Sequence, residues 1–381
     1  MAPALFTPLA LGSHTIPNRI AVAPMCMYSA DDGSATDWHL HHWISLGISG
    51  AAMVTIEATG VERRGRITHG CLGLYSDANE AAAERALTAA RRFAPATTVF
   101  GIQLGHAGRK ASTERPFEGG GPLKPADDPW QVVGPSAIAF ADGYPVPEAL
   151  DEAGIERTIE AFVQAAKRAA RAGFDFVELH GAHGYLLHQF LSPISNKRTD
   201  RWGGSLENRM RLIVTIAKAV RAALPDHVFV GARLSATEWV EGGFGIDEAV
   251  EVARALKEAG VVYICASSGG NVHNARIPAG PLYQTHLAEA IQHGSGIPTR
   301  AVGLITTPAE AEAIVAEGRA DMVALARAIL ADPRWPWRAA AELGASLKLV
   351  PQYDRSLPTM RHWVAPKADP AKAADPAKSA A

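Results

Sequence analysis

The stretch GIERTIEAFVQAAKRAARAGFDFVELH, residues 154–180, contains one complete unit of a parallel α/β fold. Its first part has apolar residues at spacings of three and four, with Ala, Arg, Lys and Glu between them, which predicts an amphipathic helix over 154–172. Gly173 follows and supplies the left-handed conformation that ends many helices. The β-rich run 174–180 then predicts a strand. A second unit of this kind, ARALKEAGVVYIC, occupies residues 253–265.

Outward from these two units, apolar runs alternate with helical stretches along most of the chain. Two more amphipathic helices are predicted at 205–223 and 246–259. The eight predicted strands are 20–23, 52–57, 97–104, 174–180, 228–234, 261–266, 298–302 and 322–324. Eight parallel units with no linker between them favour a single closed (β/α)8 TIM barrel over an open doubly wound sheet. The segment 111–150, rich in Gly, Pro and Asp, is predicted to extend over the barrel mouth after the third strand.

Composition and charge exclude several classes of protein. The 381 residues carry a formal net charge of -2, so no long-range field attracts nucleic acid or an anionic membrane. The three cysteines, Cys26, Cys71 and Cys265, form no CxxC pair, so neither a disulfide framework nor a zinc or iron-sulfur cluster is expected. No signal peptide and no apolar run long enough to span a bilayer is found, and we expect a cytoplasmic protein.

The chain is predicted to have one domain, residues 1–364. The remaining residues, 365–381, consist of Ala, Pro, Lys, Asp and Ser and contain no large side chain to bury. Such a segment cannot offset the entropy of ordering, so a disordered tail without catalytic content is expected.

Barrel active sites lie where strands end and βα loops begin, and a cluster of chemically active residues follows the fourth predicted strand. His180 and His183 are three apart, with Tyr185 two further on. The two histidines could bind a metal, but a third ligand and an acidic neighbour are missing, and we expect no metal. They could also be a purely structural pair. The interpretation favoured here is a pair of imidazole donors that polarise one substrate oxygen, with Tyr185 as the proton donor.

The ends of the last three predicted strands carry SSGG, AVGLI and MVALARAIL, where barrels commonly hold a phosphate. No GxGxxG opens a βαβ unit, so a mononucleotide fits better than a Rossmann-bound dinucleotide. Gln103 and Arg233 would face the polar edge of a flavin, although they could instead be a buried polar pair. Cys26 would tune the flavin, although a free thiol is more commonly a small buried hydrophobe.

The residues that carry these features resemble one known family. TIPNRIAVAPMCMYSADDG (15–33), GIQLGHAGRKAS (101–112), the long run 178–212, GARLSATEWVEGG (231–243), ASSGG (266–270), AVGLI (301–305) and VALARAIL (323–330) resemble the Old Yellow Enzyme family of FMN ene-reductases. Cys26 with Tyr28, and VPQYDRSLP (350–358), are similar to its thermophilic-like, or YqjM-like, subclass. The resemblance covers about residues 5–358.

This resemblance implies an NADPH dehydrogenase or ene-reductase with noncovalent FMN, NADPH or NADH as hydride donor, and a ping-pong cycle. The implied acceptors are α,β-unsaturated carbonyl compounds, maleimides and nitroalkenes. His180, His183, Tyr185 and Cys26 would be catalytic, and Tyr28 and Arg355 would bind substrate, Arg355 by reaching a neighbouring subunit of a homodimer or homotetramer. The implied flavin contacts are Pro24, Met25, Cys26, Ala58, Gln103, Arg233, Ser268, Gly269, Gly270, Gly303, Ala326 and Arg327.

Three alternatives were weighed against this one. An iron-sulfur 2,4-dienoyl-CoA reductase would need a cysteine cluster and a further nucleotide-binding domain. A dihydrouridine synthase would need a basic surface and a helical RNA-binding appendage. A non-catalytic flavin-binding or scaffold protein would have lost the donor set, yet His180, His183, Tyr185 and Arg233 are all present.

Overall fold

A computed structural model of the chain describes residues 2–356 and 358–360. The predicted domain end at 364 and the predicted tail over 365–381 lie outside those residues and remain predictions. No helix among the described residues is long and apolar enough to cross a membrane.

Eight parallel strands close into a barrel, which confirms the predicted fold class. Each strand pairs with the next one along the chain, and the last pairs with the first. The strands are β1 (Ile20–Val22), β2 (Met53–Gly60), β3 (Val99–Gly105), β4 (Phe176–Gly181), β5 (Phe229–Ser235), β6 (Val261–Ser267), β7 (Thr299–Ala301) and β8 (Met322–Leu325). Nearly every strand residue is buried, because the helices cover the outer face and side chains fill the inner one.

Helices follow the strands and form the outer layer. They are α1 (Asp37–Gly47), α2 (Asp77–Phe93), α3 (Glu152–Arg171), α4 (Leu186–Leu191), α5 (Leu206–Ala223), α6 (Ile246–Glu258), α7 (Thr285–Ser295), α8 (Pro308–Ala316), α9 (Arg327–Ala331) and α10 (Trp335–Leu343). The predicted helix over 154–172 begins two residues earlier, because the Asp151 side chain accepts the N–H of Gly154 at 2.7 Å and caps α3 there.

The amino end of the barrel is closed by aromatic side chains and a hairpin. Phe176 and Phe229 stack inside the barrel with ring centroids 4.9 Å apart. Two interior glycines make room for such rings: a Cβ on Gly101 would lie 2.2 Å from the Phe176 ring, and one on Gly231 would lie 2.2 Å from the Tyr263 ring. An antiparallel hairpin of Leu9–Leu11 and His14–Ile16 packs against this layer. Access to the barrel interior is therefore from the carboxyl ends of the strands.

The predicted extension over the mouth is present after β3. It contains two short parallel strands, Val133–Gly134 and Glu148–Ala149, and several single turns. Arg109 ties it down by donating to the carbonyls of Ile138 at 3.2 Å and Ala139 at 3.3 Å. The extension thus forms one wall of the barrel mouth.

Candidate active site

The two histidines and the tyrosine that follow β4 come together at the barrel mouth. The ring centroids of His180 and His183 lie 5.1 Å apart, and that of Tyr185 lies 4.9 Å from His180. His180 is paired in register with Arg233 on β5, which brings the guanidinium beside the imidazoles. The predicted cluster is thus assembled by adjacent strand ends.

Both imidazoles are neutral at neutral pH. Burial, followed by the positive charge of Arg233, lowers the pKa of His180 and of His183 well below 6.5. The backbone N–H of Ala182 donates to Nδ1 of His180 at 3.3 Å, which leaves the proton of the neutral ring on Nε2. A neutral imidazole with one committed nitrogen is a hydrogen-bond donor suited to a substrate oxygen.

His183 is held by three neighbouring loops in a conformation that few residues adopt. Its φ is +60°. Its backbone N–H donates to Oγ of Ser235 at 2.9 Å, and its Nε2 lies 2.7 Å from Oγ of Ser267. Lys110 donates to the His183 carbonyl and to the Gly270 carbonyl, both at 2.8 Å. These contacts fix the ring position against the strain of the backbone.

Lys110 is a partly buried cation at the centre of these contacts. Burial, followed by the charge of Arg109, lowers its pKa to about 8. Its Nζ lies 4.6 Å from the ring centroid of Phe140 in the extension and 5.3 Å from that of Tyr185. Lys110 therefore links the extension and the loops after β4 and β6.

Three protonated groups surround the histidines. Burial raises the pKa of Tyr185 well above 10, and its hydroxyl has no hydrogen-bond partner among the described residues. Burial likewise raises the pKa of Tyr28 and of Cys26. At neutral pH, Tyr185 thus carries an uncommitted phenolic proton beside two neutral imidazoles.

A bulge in β2 positions the loop that carries Cys26. The register between β2 and β3 shifts between Ile56 and Ala58, so Glu57 is an extra residue on β2. Its carboxylate accepts the backbone N–H of Met27 at 3.0 Å and lies 3.7 Å from Nε2 of His39. The buried carboxylate therefore fixes the chain from Pro24 to Tyr28.

A cavity of about 270 Å³ opens beside the histidines. It is lined by residues from the ends of β4 to β8, including His183, Arg233, Ser268, Gly303, Ala326 and Arg327. Gln284, which accepts from Ser268 Oγ at 2.6 Å and donates to the Val302 carbonyl, forms its floor. The predicted phosphate-binding loops thus share one cavity.

This donor set fits the FMN that the family resemblance implies. The buried Nε of Arg233 has no hydrogen-bond partner among the described residues, although an unpaired guanidinium is costly to bury. An anionic or carbonyl-rich ligand in the cavity would satisfy it. Two arginines, serine hydroxyls and loop amides around one cavity are the groups that hold a phosphorylated mononucleotide.

The remaining predicted flavin contacts either lie on barrel strands or belong to the loop after β6. Ala58 and Gln103 are paired in register on β2 and β3. Gly269 and Gly270 do not line the cavity. A Cβ on Gly270 would lie 2.6 Å from the His183 Cα, so this glycine permits close approach of the loops after β6 and β4.

Arg355 is not brought to this site within the chain. It is exposed in a short 3-10 helix, Pro351–Ser356. Tyr353 in that helix lies 5.6 Å from the ring of Trp337, which packs against Gly50. Gly50 precedes β2, at the amino end of the barrel, so this segment lies at the end opposite the mouth.

Sequence reasoning missed three residues of the site, which are Lys110, Ser235 and Gln284. It placed Glu57 and Ser267 at strand ends but gave them no role. Lys110 lies in GIQLGHAGRKAS and Ser267 in ASSGG, so position within these motifs was a usable signal. Glu57 and Ser235 end strands as the others do, but single carboxylates and hydroxyls are too common to stand out. Among the described residues, no group of three or more His, Cys, Asp or Glu is placed to hold a metal ion.

Comparison with known proteins places the chain among flavin oxidoreductases. The profile of the NADH:flavin oxidoreductase / NADH oxidase family matches residues 4–345. Two proteins named NADPH dehydrogenase are similar over nearly their full length. That of Halalkalibacterium halodurans is 42% identical over 92% of this chain and 98% of its own, and that of Geobacillus thermodenitrificans is 40% identical over 93% and 99%.

Solved structures of reductases also superpose on this chain. Morphinone reductase superposes with a TM-score of 0.73 at 29% identity, over 91% of each chain. A 2-naphthoyl-CoA reductase superposes with a TM-score of 0.78 at 26% identity over 90% of this chain, which covers 53% of that longer chain.

Proposed function

Since the chain belongs to the NADH:flavin oxidoreductase / NADH oxidase family, as its resemblance to Old Yellow Enzymes predicted, we propose that it reduces activated C=C bonds. It is an NAD(P)H-dependent flavin oxidoreductase that uses FMN and acts on small molecules. The proposed acceptors are α,β-unsaturated carbonyl compounds, maleimides and nitroalkenes.

The observation that carries this proposal is the pair of neutral histidines beside an uncommitted tyrosine hydroxyl. Two imidazole N–H groups aimed at a carbonyl or nitro oxygen withdraw electron density and make the β-carbon electrophilic. They then stabilise the negative charge that develops on that oxygen. Tyr185 would protonate the α-carbon, Tyr28 would contact the acceptor, and Cys26 would lie against the flavin.

Bound FMN would supply the hydride chemistry, taking a hydride from NAD(P)H and passing it to the acceptor in a ping-pong cycle. Ser268, Gly303, Ala326 and Arg327 would hold its phosphate side, with Gly269 and Gly270 shaping that loop. Pro24, Met25, Cys26, Ala58, Gln103 and Arg233 would surround its ring. The Arg233 guanidinium would stabilise negative charge on the reduced ring.

The purified protein is expected to be yellow, to lose its visible flavin absorbance when anaerobic NADPH or NADH is added, and to regain it with cyclohexenone. Absorption spectroscopy of the purified protein, with added FMN if it is isolated without flavin, makes the measurement. A folded, colourless protein that takes up no FMN would refute the proposal. A flavoprotein that NAD(P)H bleaches but no enone reoxidises would refute the proposed acceptors alone.

The position of Arg355 supports a composite site between two copies of the chain. In one chain it lies at the amino end of the barrel, exposed, and its planar, permanently charged group suits binding across an interface. We therefore propose that Arg355 enters the mouth of a neighbouring protomer in a homodimer or homotetramer.

Arg355→Ala is expected to raise the KM for the enone by about tenfold, the size of one charge-assisted hydrogen bond, without releasing FMN. Mixing Arg355→Ala with inactive His180→Ala protein should then restore activity, because hybrids contain one intact composite site. Steady-state kinetics of the mixture, after subunit exchange has been demonstrated, make the measurement. A mixture no more active than the sum of its parts would show that Arg355 does not act on its neighbour.

A further inference from the structure

A buried polar cluster lies inside the barrel, directly below the site. Glu178 is two residues before His180 on β4, so both face the barrel interior and Glu178 is one layer deeper. Glu178, Tyr263 and Arg300 are all fully buried. The Glu178 Oε2 accepts from the Tyr263 hydroxyl at 2.6 Å and from the Arg300 guanidinium. Arg300 also donates to Thr55 Oγ1 at 3.2 Å.

Stability alone does not account for this cluster. Barrel interiors are usually filled by branched apolar side chains. A buried ion pair must overcome the desolvation of both charges, and apolar replacements of similar volume are often as stable or more so. Burial by itself would lower the pKa of Arg300, yet the neighbouring Glu178 carboxylate holds that pKa above its ordinary value. Arg300 is therefore charged, and its bond to Glu178 holds the two side chains in fixed positions.

The other carboxylate oxygen of Glu178 contacts a residue of the proposed site. Its Oε1 accepts from Nε2 of Gln103 at 2.8 Å. This bond determines which way round the Gln103 amide lies, since its nitrogen must face the carboxylate. The amide oxygen is left on the opposite side, and none of the described residues donates a hydrogen bond to it.

We propose that Glu178, held by its ion pair with Arg300, is a positioning residue that presents the Gln103 amide oxygen to the flavin. This inference rests on the proposed FMN site. The pyrimidine edge of a flavin carries one ring N–H between two carbonyl oxygens. An amide whose nitrogen is already committed can accept from that N–H, whereas the reversed amide would place two donors against each other.

Glu178→Gln tests the proposal because it keeps the shape and reverses the bond. The new amide must place its oxygen toward Arg300 and Tyr263, which both donate, and its N–H groups then face Gln103. The Gln103 side chain must then turn so that its own amide oxygen faces the side chain at position 178. We expect the dissociation constant for FMN, measured by quenching of flavin fluorescence on titration with apoprotein, to rise about tenfold.

A double-mutant cycle separates positioning from a general loss of structure. In the Gln103→Ala background, Glu178→Gln should change FMN affinity by less than about twofold, because the amide through which it acts is absent. Tyr263→Phe is the matched control: it removes a donor from the same carboxylate but leaves the bond to Gln103. It should lower the melting temperature of the apoprotein and leave FMN affinity within about twofold.

Two results would overturn the inference. One is an effect of Glu178→Gln on FMN affinity that is as large in the Gln103→Ala background as in the wild type. The other is a loss of affinity in Tyr263→Phe equal to that in Glu178→Gln. A wild-type protein that binds no FMN would instead overturn the proposed function on which the inference rests.

A second variant covers the case in which Glu178→Gln does not fold. Replacing Glu178 and Arg300 together with methionine removes both charges and keeps the volume. The Gln103 amide then has no fixed orientation, and FMN affinity should again fall several-fold. This fall should occur when Gln103 is present and be absent in the Gln103→Ala background. Equal affinity of this variant and the wild type would overturn the inference.

Discussion

Tyr185→Phe is expected to slow the reduction of an enone by about 100-fold or more, the usual contribution of a positioned general acid. Reduction of a nitroalkene should stay within about threefold of wild type, because the nitronate product is stable without immediate protonation. The ring of Tyr185 stacks edge-on against His180 and is retained in the variant, so only the proton is removed. Stopped-flow reoxidation of the reduced enzyme by each acceptor makes the measurement.

Tyr28→Phe is the matched control, since it also removes a single phenolic hydroxyl whose pKa is raised by burial. Tyr28→Phe should slow the reduction of enones and of nitroalkenes to the same extent, because it weakens the binding of both acceptors. If Tyr185→Phe also slows both acceptors equally, Tyr185 has a structural role and is not the proton donor.

His180→Ala or His183→Ala is expected to slow the oxidative half-reaction with enones by about 3 kcal/mol, or roughly 100-fold, because each removes one donor to the developing oxyanion. Reduction of the enzyme by NADPH should be affected less, since no oxyanion forms in that step. Separate stopped-flow measurements of the two half-reactions distinguish these effects.

His106→Asn is a suitable control for the histidine variants. His106 is a buried imidazole at the end of β3, and its Nδ1 accepts the N–H of Gly108, which the asparagine oxygen can replace. Little change in either half-reaction is expected. Because the pKa values of His180 and His183 are lowered well below 6.5, their protonation should not produce a step in the enone rate between about pH 6 and 8. An acid limb centred near pH 6.5 that disappears in His180→Ala would contradict the neutral pair.

The sequence was sufficient to predict the barrel and the location of its chemistry. All eight predicted strands are present, because short buried runs followed by Gly-terminated helices have few other solutions. His180 and Arg233 were predicted to lie close together because they end neighbouring parallel strands, and they are paired in register. Gln103, on the preceding strand, is paired with Glu178. Their chemical roles remain proposals.

Interactions that depend on the three-dimensional register of the strands could not be predicted from the sequence. Arg300, in IPTRAVG, reads as an ordinary charged residue, and its partner Glu178 is 122 positions away. Only closure of the barrel places the two in one interior layer. The bulge at Glu57 is similar, because an extra residue in a strand shows only when its partner strand is aligned with it.

The hydrogen bonds of Lys110 limit how far the loops at the barrel mouth can move apart. The Lys110 ammonium group donates to the carbonyls of residues 183 and 270. These two residues lie 73 and 160 positions further along the chain. Neither loop can swing outward without breaking a partly buried hydrogen bond to the same nitrogen. We therefore expect the loops after β3, β4 and β6 to unfold locally as a single cooperative unit, so that their amide hydrogens exchange with solvent together.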